Sequence, residues 1–406
     1  MKPQKADKKE WAALLAEATF LERPNRFIAH CRLVSGEVVV VHVPNPGRMW
    51  ELLLPGVQVF LADHRDSDRK TKWSMVAILR EGHLVMIDTG HTNRVAEELL
   101  ERGKIPSLAE WRPLRREVKV GASRFDFLLG NGAGDEMLLE VKSCTLFGGN
   151  GAMFPDAPTE RGKKHLLHLA EAAESGQKVG VLLIVQWLQA EWFMPDYHTD
   201  PEFAQTMLAV KDRVKIVVAA IGWNENLQPL EQVKEVPILW SLAEKENMDS
   251  GCYLVLMNIS KSCTVKIGAL GDVEIPQGWY VYCGSAKKTL NARLNRHLRI
   301  RKGMHWHMDY LRQKADKVVG IPIRTQDGIE HDLARGLAEM SEWKVDGFGC
   351  SDCQCSAHLF GFSEDPRKNQ KFVDFLLYWR ISRFRGEESL KSNGFGKGLD
   401  KKRKAK

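Results

Sequence analysis

No apolar run in this chain reaches the roughly 18 residues that a membrane-spanning helix needs, so no span is expected. The amino terminus, Met1-Lys2-Pro3-Gln4-Lys5-Ala6-Asp7, lacks the apolar core of a signal peptide, and a cytoplasmic address is expected. Cysteine is too sparse for a disulfide framework. Cys31, Cys144, Cys252, Cys263, Cys283, Cys350, Cys353 and Cys355 are eight dispersed residues in 406, and a cytoplasmic address keeps them reduced. A strong charge imbalance is missing too: the net charge of +7 and pI near 8.9 suit a polyanionic partner without demanding one. Part of the surplus sits in Lys401-Lys402-Arg403-Lys404, expected to be a disordered basic arm.

What is present is a globular composition, 44% apolar and 27% charged, in a length that exceeds one ordinary core. Residues 1–20 read as a short helix with Trp11, Leu14, Leu15 and Ala18 on one face. Strand patterns follow at Phe27 to Val34, Glu37 to Val43, Gln58 to Ala62, Lys72 to Arg80 and Leu84 to Thr89. Five short strands so close together predict a small, partly open barrel of OB type. Its loops carry Asn25, Arg26, Asn45 and Arg48, residue types that bind phosphates or bases on such a platform. The same asparagines also suit turn caps, and the arginines suit pairing with carboxylates such as Glu51. Arg65, Arg69, Lys70 and Lys72 form a second basic patch.

The chemistry concentrates between Arg124 and Leu169. A strand, Arg124 to Leu129, carries Asp126, and the turn Asn131-Gly132-Ala133-Gly134-Asp135 doubles the chain back. In the next strand Glu140 and Lys142 are two apart and leave one face, while Val141 points the other way. Two carboxylates and an ammonium then converge. Phosphodiester hydrolysis needs such a set: hard oxygen ligands for Mg²⁺ or Mn²⁺ and a cation for the developing charge. Alone, Glu-Val-Lys is more often an amphipathic surface strand with solvated charges.

A helix over residues 160–175 turns Leu166, Leu169 and Ala173 inward and brings Arg161, Lys164 and His165 to its first turns, where phosphate is readily positioned. A helix over 93–103 carries Glu97 and Glu98, either a further metal carboxylate or solvated charges. Strands Val179 to Val185 and Val214 to Ile221 flank a crossover helix, Pro201 to Val210, and complete a mixed sheet.

The pattern Asp-x13-Glu-x-Lys resembles the PD-(D/E)XK nuclease signature. The surrounding words Arg124-Phe125-Asp126-Phe127-Leu128-Leu129, Glu140-Val141-Lys142-Ser143-Cys144-Thr145-Leu146 and Phe154-Pro155-Asp156-Ala157-Pro158-Thr159-Glu160-Arg161-Gly162 closely resemble the sugar fermentation stimulation protein family, over about residues 15–240. So do Arg23-Pro24-Asn25-Arg26-Phe27 and His42-Val43-Pro44-Asn45-Pro46-Gly47-Arg48-Met49-Trp50. The resemblance implies an OB-fold module ahead of a PD-(D/E)XK-like α/β domain, with DNA as partner and either metal-dependent cleavage or non-catalytic regulation of sugar metabolism as the outcome.

Beyond about residue 248 the chain restarts with Cys252 to Ile259, Gln277-Gly278-Trp279-Tyr280-Val281-Tyr282-Cys283-Gly284, a helix over Leu290 to Arg301, and His305-Trp306-His307. These words resemble the GIY-YIG nuclease superfamily. The resemblance implies an α+β fold in which Tyr253, Tyr282, Arg293 and His297 are catalytic and Glu330 binds the metal, with activity rising into the alkaline range because a phenol titrates near 10. An alternative is a fold kept for binding, with its tyrosines packed in a core. Cys350, Cys353, Cys355 and His358 are zinc-ligand types, but four ligands within nine residues need a very tight knuckle, so Zn²⁺ is not expected there. Phe372, Phe375, Leu376 and Trp379 mark one face of an amphipathic helix.

The expected organisation is thus an OB-like module with a leading helix (1–90), a nuclease-like α/β domain (91–240), a GIY-YIG-like domain (248–386) and a basic tail (387–406). If the tail touches DNA, deleting Leu399 to Lys406 flattens the dependence of affinity on salt, because fewer counterions are released, and leaves sequence preference unchanged. Binding isotherms at several salt concentrations measure that slope, and an unchanged slope removes the tail from the interface.

Overall fold

The computed structural model describes residues 15–64, 71–121, 123–350 and 353–384. Trp11 and Leu14 of the expected first helix, Arg65, Arg69 and Lys70 of the basic patch, and the basic tail lie outside them. The chain divides into two compact units between Trp240 and Ser241.

The first unit begins with a strand where a helix was expected. Leu15–Asn25 pairs antiparallel with Gln58–Asp63, Leu15 opposite Ala62, and with Ile28–Leu33. The apolar spacing that suits a helical face is overridden by pairing on both edges, with Ala18 and Phe20 alternating into the barrel core. Val38–His42 shows the same period of two, Val39 and Val41 buried and Val38 and Val40 exposed. The barrel sheet has six strands, one more than expected, and parallel pairing of Val41 with Trp73 and His42 with Ser74 ties Val38–His42 back to Trp73–Arg80. The last strand, His83–Met86, is shorter than its pattern because Asp88 caps the helix Thr89–Glu101, its carboxylate accepting from the Gly90 amide.

The α/β domain is a six-stranded sheet in the order Pro229–Glu235, Lys215–Trp223, Lys178–Val185, Glu136–Cys144, Ser123–Gly130, Arg112–Val120. The three middle pairings join parallel strands at the centre to an antiparallel hairpin, Ser123–Gly130 with Glu136–Cys144. Successive residues serve opposite faces. Leu138, Val181 and Leu183 share a core with Leu166 and Leu169 of the helix Glu160–Glu174 and with barrel residues, whereas Leu139, Val141, Leu182 and Ile184 pack with Val95, Leu99 and Leu100 of Thr89–Glu101. Barrel residues belong to both clusters, Val41 to the first and Val76 and Met86 to the second, so barrel and α/β domain are packed together on both faces. The edge strands Arg112–Val120 and Pro229–Glu235 were not read from the sequence: the first is mostly exposed and basic, and the second opens on a proline and has no buried residue.

Leu146–Gly148, Gly151–Phe154 and Trp192–Pro195 form a separate three-stranded sheet whose Phe147, Ala152 and Phe193 join the first cluster. Gly151 stands opposite Trp192 in the register, and a β-carbon there would lie 2.1 Å from the indole.

The second unit is an antiparallel five-stranded sheet in the order Lys317–Arg324, Gly251–Ile259, Gly278–Ala286, Leu359–Phe362, Trp343–Lys344. Helices Leu290–Leu298, His307–Arg312, Glu330–Met340 and Gln370–Arg380 surround it, the first ending at Leu298 rather than Arg301. Cys252 and Cys283 are buried, as are Phe372, Phe375, Leu376 and Trp379 of the last helix.

Gly151→Ala forces the rigid Trp192 ring to move and is expected to destabilise the first unit by about 1–3 kcal/mol through overpacking. Urea unfolding followed by tryptophan fluorescence reads this as a lower midpoint at unchanged slope. An unaffected midpoint would show that the small sheet yields freely.

Candidate active sites

The hairpin brings Asp126 beside the strand that carries Glu140. One Asp126 oxygen accepts from the Val141 amide at 2.7 Å, which fixes the carboxylate to the neighbouring strand, and the other accepts from the Asn93 amide nitrogen at 2.7 Å. Glu140 is buried, and its Oε1 faces Lys142 Nζ and His165 Nδ1, the latter at 2.5 Å. Its Oε2 is buried without a hydrogen-bond partner. Burial and then the nearby Glu140 push the Asp126 carboxyl above its ordinary range. Burial pushes Glu140 up too, but the His165 hydrogen bond and the Lys142 charge outweigh it and hold Glu140 below its ordinary value.

These groups line a cavity of about 360 Å³ whose wall also includes Arg26 and Asn45 from the barrel, Thr92 and Asn93 from the first helix, Asp156, and Arg161 from the start of Glu160–Glu174. Of the residues singled out from sequence, Asp126, Glu140, Lys142, Arg26, Asn45 and Arg161 meet here. Asn25, Arg48, Lys164 and His165 do not. Asn25 spends its Oδ1 on the amides of Phe27 and Ile28 and is a turn cap. Arg48 donates from Nε to the Asp156 carbonyl, hydrogen-bonds Thr199, and lies over the Trp50 ring at 5.0 Å. His165 is buried behind Glu140, so it orients that carboxylate rather than meeting a nucleic acid. Glu97 pairs with Arg116 and Glu98 with Arg102, and neither lines the cavity. The first helix contributes Asn93 instead.

Arg23 and Asp156 escaped the sequence reading as Asn93 did. Arg23 donates to the carbonyls of Asn45, Gly47 and Arg26 at 2.8, 2.7 and 2.6 Å and so fixes the barrel loop that faces the carboxylates. Asp156 comes so close to Gly47 that a β-carbon there would lie 2.3 Å from its carboxylate. Behind it Glu51 is buried with Oε1 unpartnered, and burial together with Asp156 pushes its carboxyl up to about 7.

In the second unit Tyr253, Arg293 and His297 form one chain: the Tyr253 hydroxyl lies 2.9 Å from His297 Nε2 and accepts from Arg293 Nε at 3.3 Å. The Tyr282 ring is 6.3 Å from that of Tyr253 and 5.8 Å from His297. Gly284 is required beside them, since a β-carbon would lie 2.6 Å from the Tyr253 hydroxyl. Burial carries Tyr253 up to about 12 and, with smaller contributions from Lys302 and the neighbouring arginines, His297 down to about 3. Phenol and imidazole are therefore both neutral near pH 7 and share one hydrogen bond, and burial moves the phenol's titration further into the alkaline range than its ordinary value near 10. Glu330 accepts from Ser285 with one oxygen and faces His358 Nδ1 with the other at 3.3 Å, so both oxygens are engaged.

The first unit is thus a protein of the nuclease-like class, an OB-like barrel joined to an α/β domain that presents the Asp/Glu/Lys set. Residues 21–87 match the SfsA N-terminal OB domain, residues 90–226 the sugar fermentation stimulation protein RE domain, and residues 252–377 a domain of unknown function, DUF123. The chain is 41% identical over 226 residues to a sugar fermentation stimulation protein homolog of Clostridium tetani, covering 55% of this chain and 97% of the relative. A homolog of the same description from Chloroflexus aurantiacus is 37% identical over 231 residues, 57% of this chain and 88% of its own. The structure of Pyrococcus furiosus SfsA in complex with Ca²⁺ superposes with a TM-score of 0.51 at 27% identity, over 55% of this chain and 95% of that one. The chain belongs to the sugar fermentation stimulation protein family.

The Glu51 carboxyl sets a pH dependence. With a folded value raised to about 7 against an ordinary 4.5, the folded state binds the extra proton, so stability falls as pH rises from 4.5 to about 7 and is level above it. Glu51→Gln removes this loss and is expected to be the more stable protein at pH 8, with the advantage vanishing below pH 4.5. Urea titrations of both proteins across that range measure the difference, and a constant offset would exclude the assignment.

Proposed function

We propose that the cavity between barrel and sheet hydrolyses phosphodiester bonds of DNA with Mg²⁺ or Mn²⁺ held by Asp126 and Glu140. The observation that carries this reading is the buried carboxylate pair itself, in which Glu140 Oε2 has no partner and Asp126 is raised by burial and then by its neighbour. A divalent cation fits that need, since it would take the orphaned oxygen as a ligand and offset the repulsion. When bound, the cation supplies polarisation of the phosphoryl oxygen and a water of lowered pKa. The protein's own groups do the rest. Lys142 offers an ammonium to the charge that develops, His165 fixes the Glu140 rotamer, and Asn93 and the Val141 amide hold Asp126. Arg26 and Arg161 on the cavity wall are suited to gripping the phosphates on either side.

The Ca²⁺ complex of the Pyrococcus furiosus relative supports an oxygen-ligand metal site, and the chain's surplus of +7 supports a polyanion. Among the described residues no helix is long and apolar enough to cross a membrane, and eight cysteines without a disulfide suit the cytoplasm, where we place this work. The second unit is read as a further nuclease-like centre, with Tyr253 and His297 handling the proton and Arg293 the phosphate. A second reading of the first unit, a DNA-binding regulator of sugar metabolism that does not cleave, is favoured by one contact: the Lys142 ammonium already sits on one oxygen of Glu140 and offsets that carboxylate's charge from within.

The two readings separate on one variant. Asp126→Asn is expected to bind DNA as the parent does while nicking falls about 100-fold or more, the scale lost with a group that stabilises the transition state. Gel-shift and nicking assays in Mg²⁺ or Mn²⁺, on single-stranded, duplex and branched DNA, measure both. A parent protein that cuts none of them leaves the regulator.

A further inference from the structure

Four side chains in the second unit outside the tyrosine centre meet at one point. His331 is the second residue of the helix Glu330–Met340, Cys353 and Cys355 lie in the following loop, and His358 immediately precedes the strand Leu359–Phe362. One ligand atom from each lies within 4.8 Å of all the others. His331 Nδ1 is 3.2 Å from Cys355 Sγ, and Cys353 Sγ is 3.4 Å from His358 Nε2. Around a tetrahedral zinc ion, with Zn–S near 2.3 Å and Zn–N about 2.0–2.1 Å, a sulfur and a nitrogen ligand stand about 3.6 Å apart. Both pairs already hold close to that spacing.

We propose that His331, Cys353, Cys355 and His358 form a closed structural Zn²⁺ site. Two sulfurs and two imidazole nitrogens in compact array are the donor set that selects zinc, and two thiolates neutralise its charge. The sequence argued against zinc only because it offered Cys350 as the fourth ligand, which crowds all four into nine residues. Cys350 instead directs its thiol to the Phe348 carbonyl at 3.3 Å, and His331, from a helix 22 residues before Cys353, takes the place. A ligand from a separate element removes the need for a tight knuckle.

The surroundings complete the site. With His358 Nε2 turned to the metal, its Nδ1–H is left to donate, and it faces Glu330 Oε1 at 3.3 Å and the Cys283 carbonyl at 3.3 Å. A carboxylate or carbonyl behind a metal-bound histidine fixes its tautomer and raises its basicity. Glu330 also precedes His331 in the chain, so the ion would pin the loop to the start of this helix and hold Glu330 from two directions. The inference is independent of phosphodiester cleavage in the first unit.

The test is metal content and ligand chemistry of the full chain, purified under reducing conditions without chelator. One equivalent of zinc is expected by elemental analysis, retained in Cys350→Ser and lost in His331→Ala and in Cys355→Ser. Replacement by Co²⁺ in the parent protein should give the intense visible bands of a tetrahedral site with thiolate charge transfer. Circular dichroism identifies any variant that has not folded, and the Co²⁺ spectrum of the parent stands whatever the variants do. Glu330→Gln is expected to weaken zinc about 10- to 100-fold without changing that spectrum's geometry. Failure of the reduced parent to take up Zn²⁺ or Co²⁺, or full zinc in folded His331→Ala, overturns the site.

Discussion

Two carboxylates that repel each other are forced together in the first unit, and much of the local structure answers that repulsion. Glu140 cannot turn to water, because it lies on a central strand between parallel and antiparallel neighbours. Removing its charge from solvent is costly unless it is paired. Lys142, two residues on, and His165, across on the packed helix, compensate one oxygen and leave the other without a partner. Asp126 is met by an amide of the adjacent strand and by Asn93, neither of them charged. The result is a centre held in place by neutral donors and one cation, with uncompensated negative charge facing the cavity.

The barrel is part of that centre. Arg23 spends its guanidinium on backbone carbonyls of the loop over residues 45–48, and Arg48 crosses from the barrel to the Asp156 carbonyl. Arg48, whose residue type and loop position suggested phosphate, is used here to hold a loop against the α/β domain. The groups left on the cavity wall, Arg26 and Arg161, come from both folds, so nucleic-acid contact and metal chemistry would share one surface.

The residues that could be read directly were those whose spacing carries geometry. Glu140 and Lys142 share a face because a strand has a period of two, and Asp126 joins them because a glycine-rich turn returns the chain. Leu15 to Phe20 was misread because a short apolar spacing fits a helix until two partner strands claim its edges. Asn25, Arg48 and His165 have the chemistry of nucleic-acid contacts, yet each is consumed by a nearer partner, a turn amide, a carbonyl or a carboxylate.

The sequence by itself determined that Glu140 and Lys142 share a strand face and that Asp126 returns beside them, because local period and turn type suffice for that, while the tyrosine set was legible only through a family resemblance. Only the tertiary structure decided which charges remain available. It brought Asn93 to Asp126, buried Tyr253 beside His297 so that neither titrates near neutrality, and set His331 against Cys355. The physical reason is common to all three: contacts between residues tens of positions apart depend on how helices dock on sheets, and no local spacing encodes that.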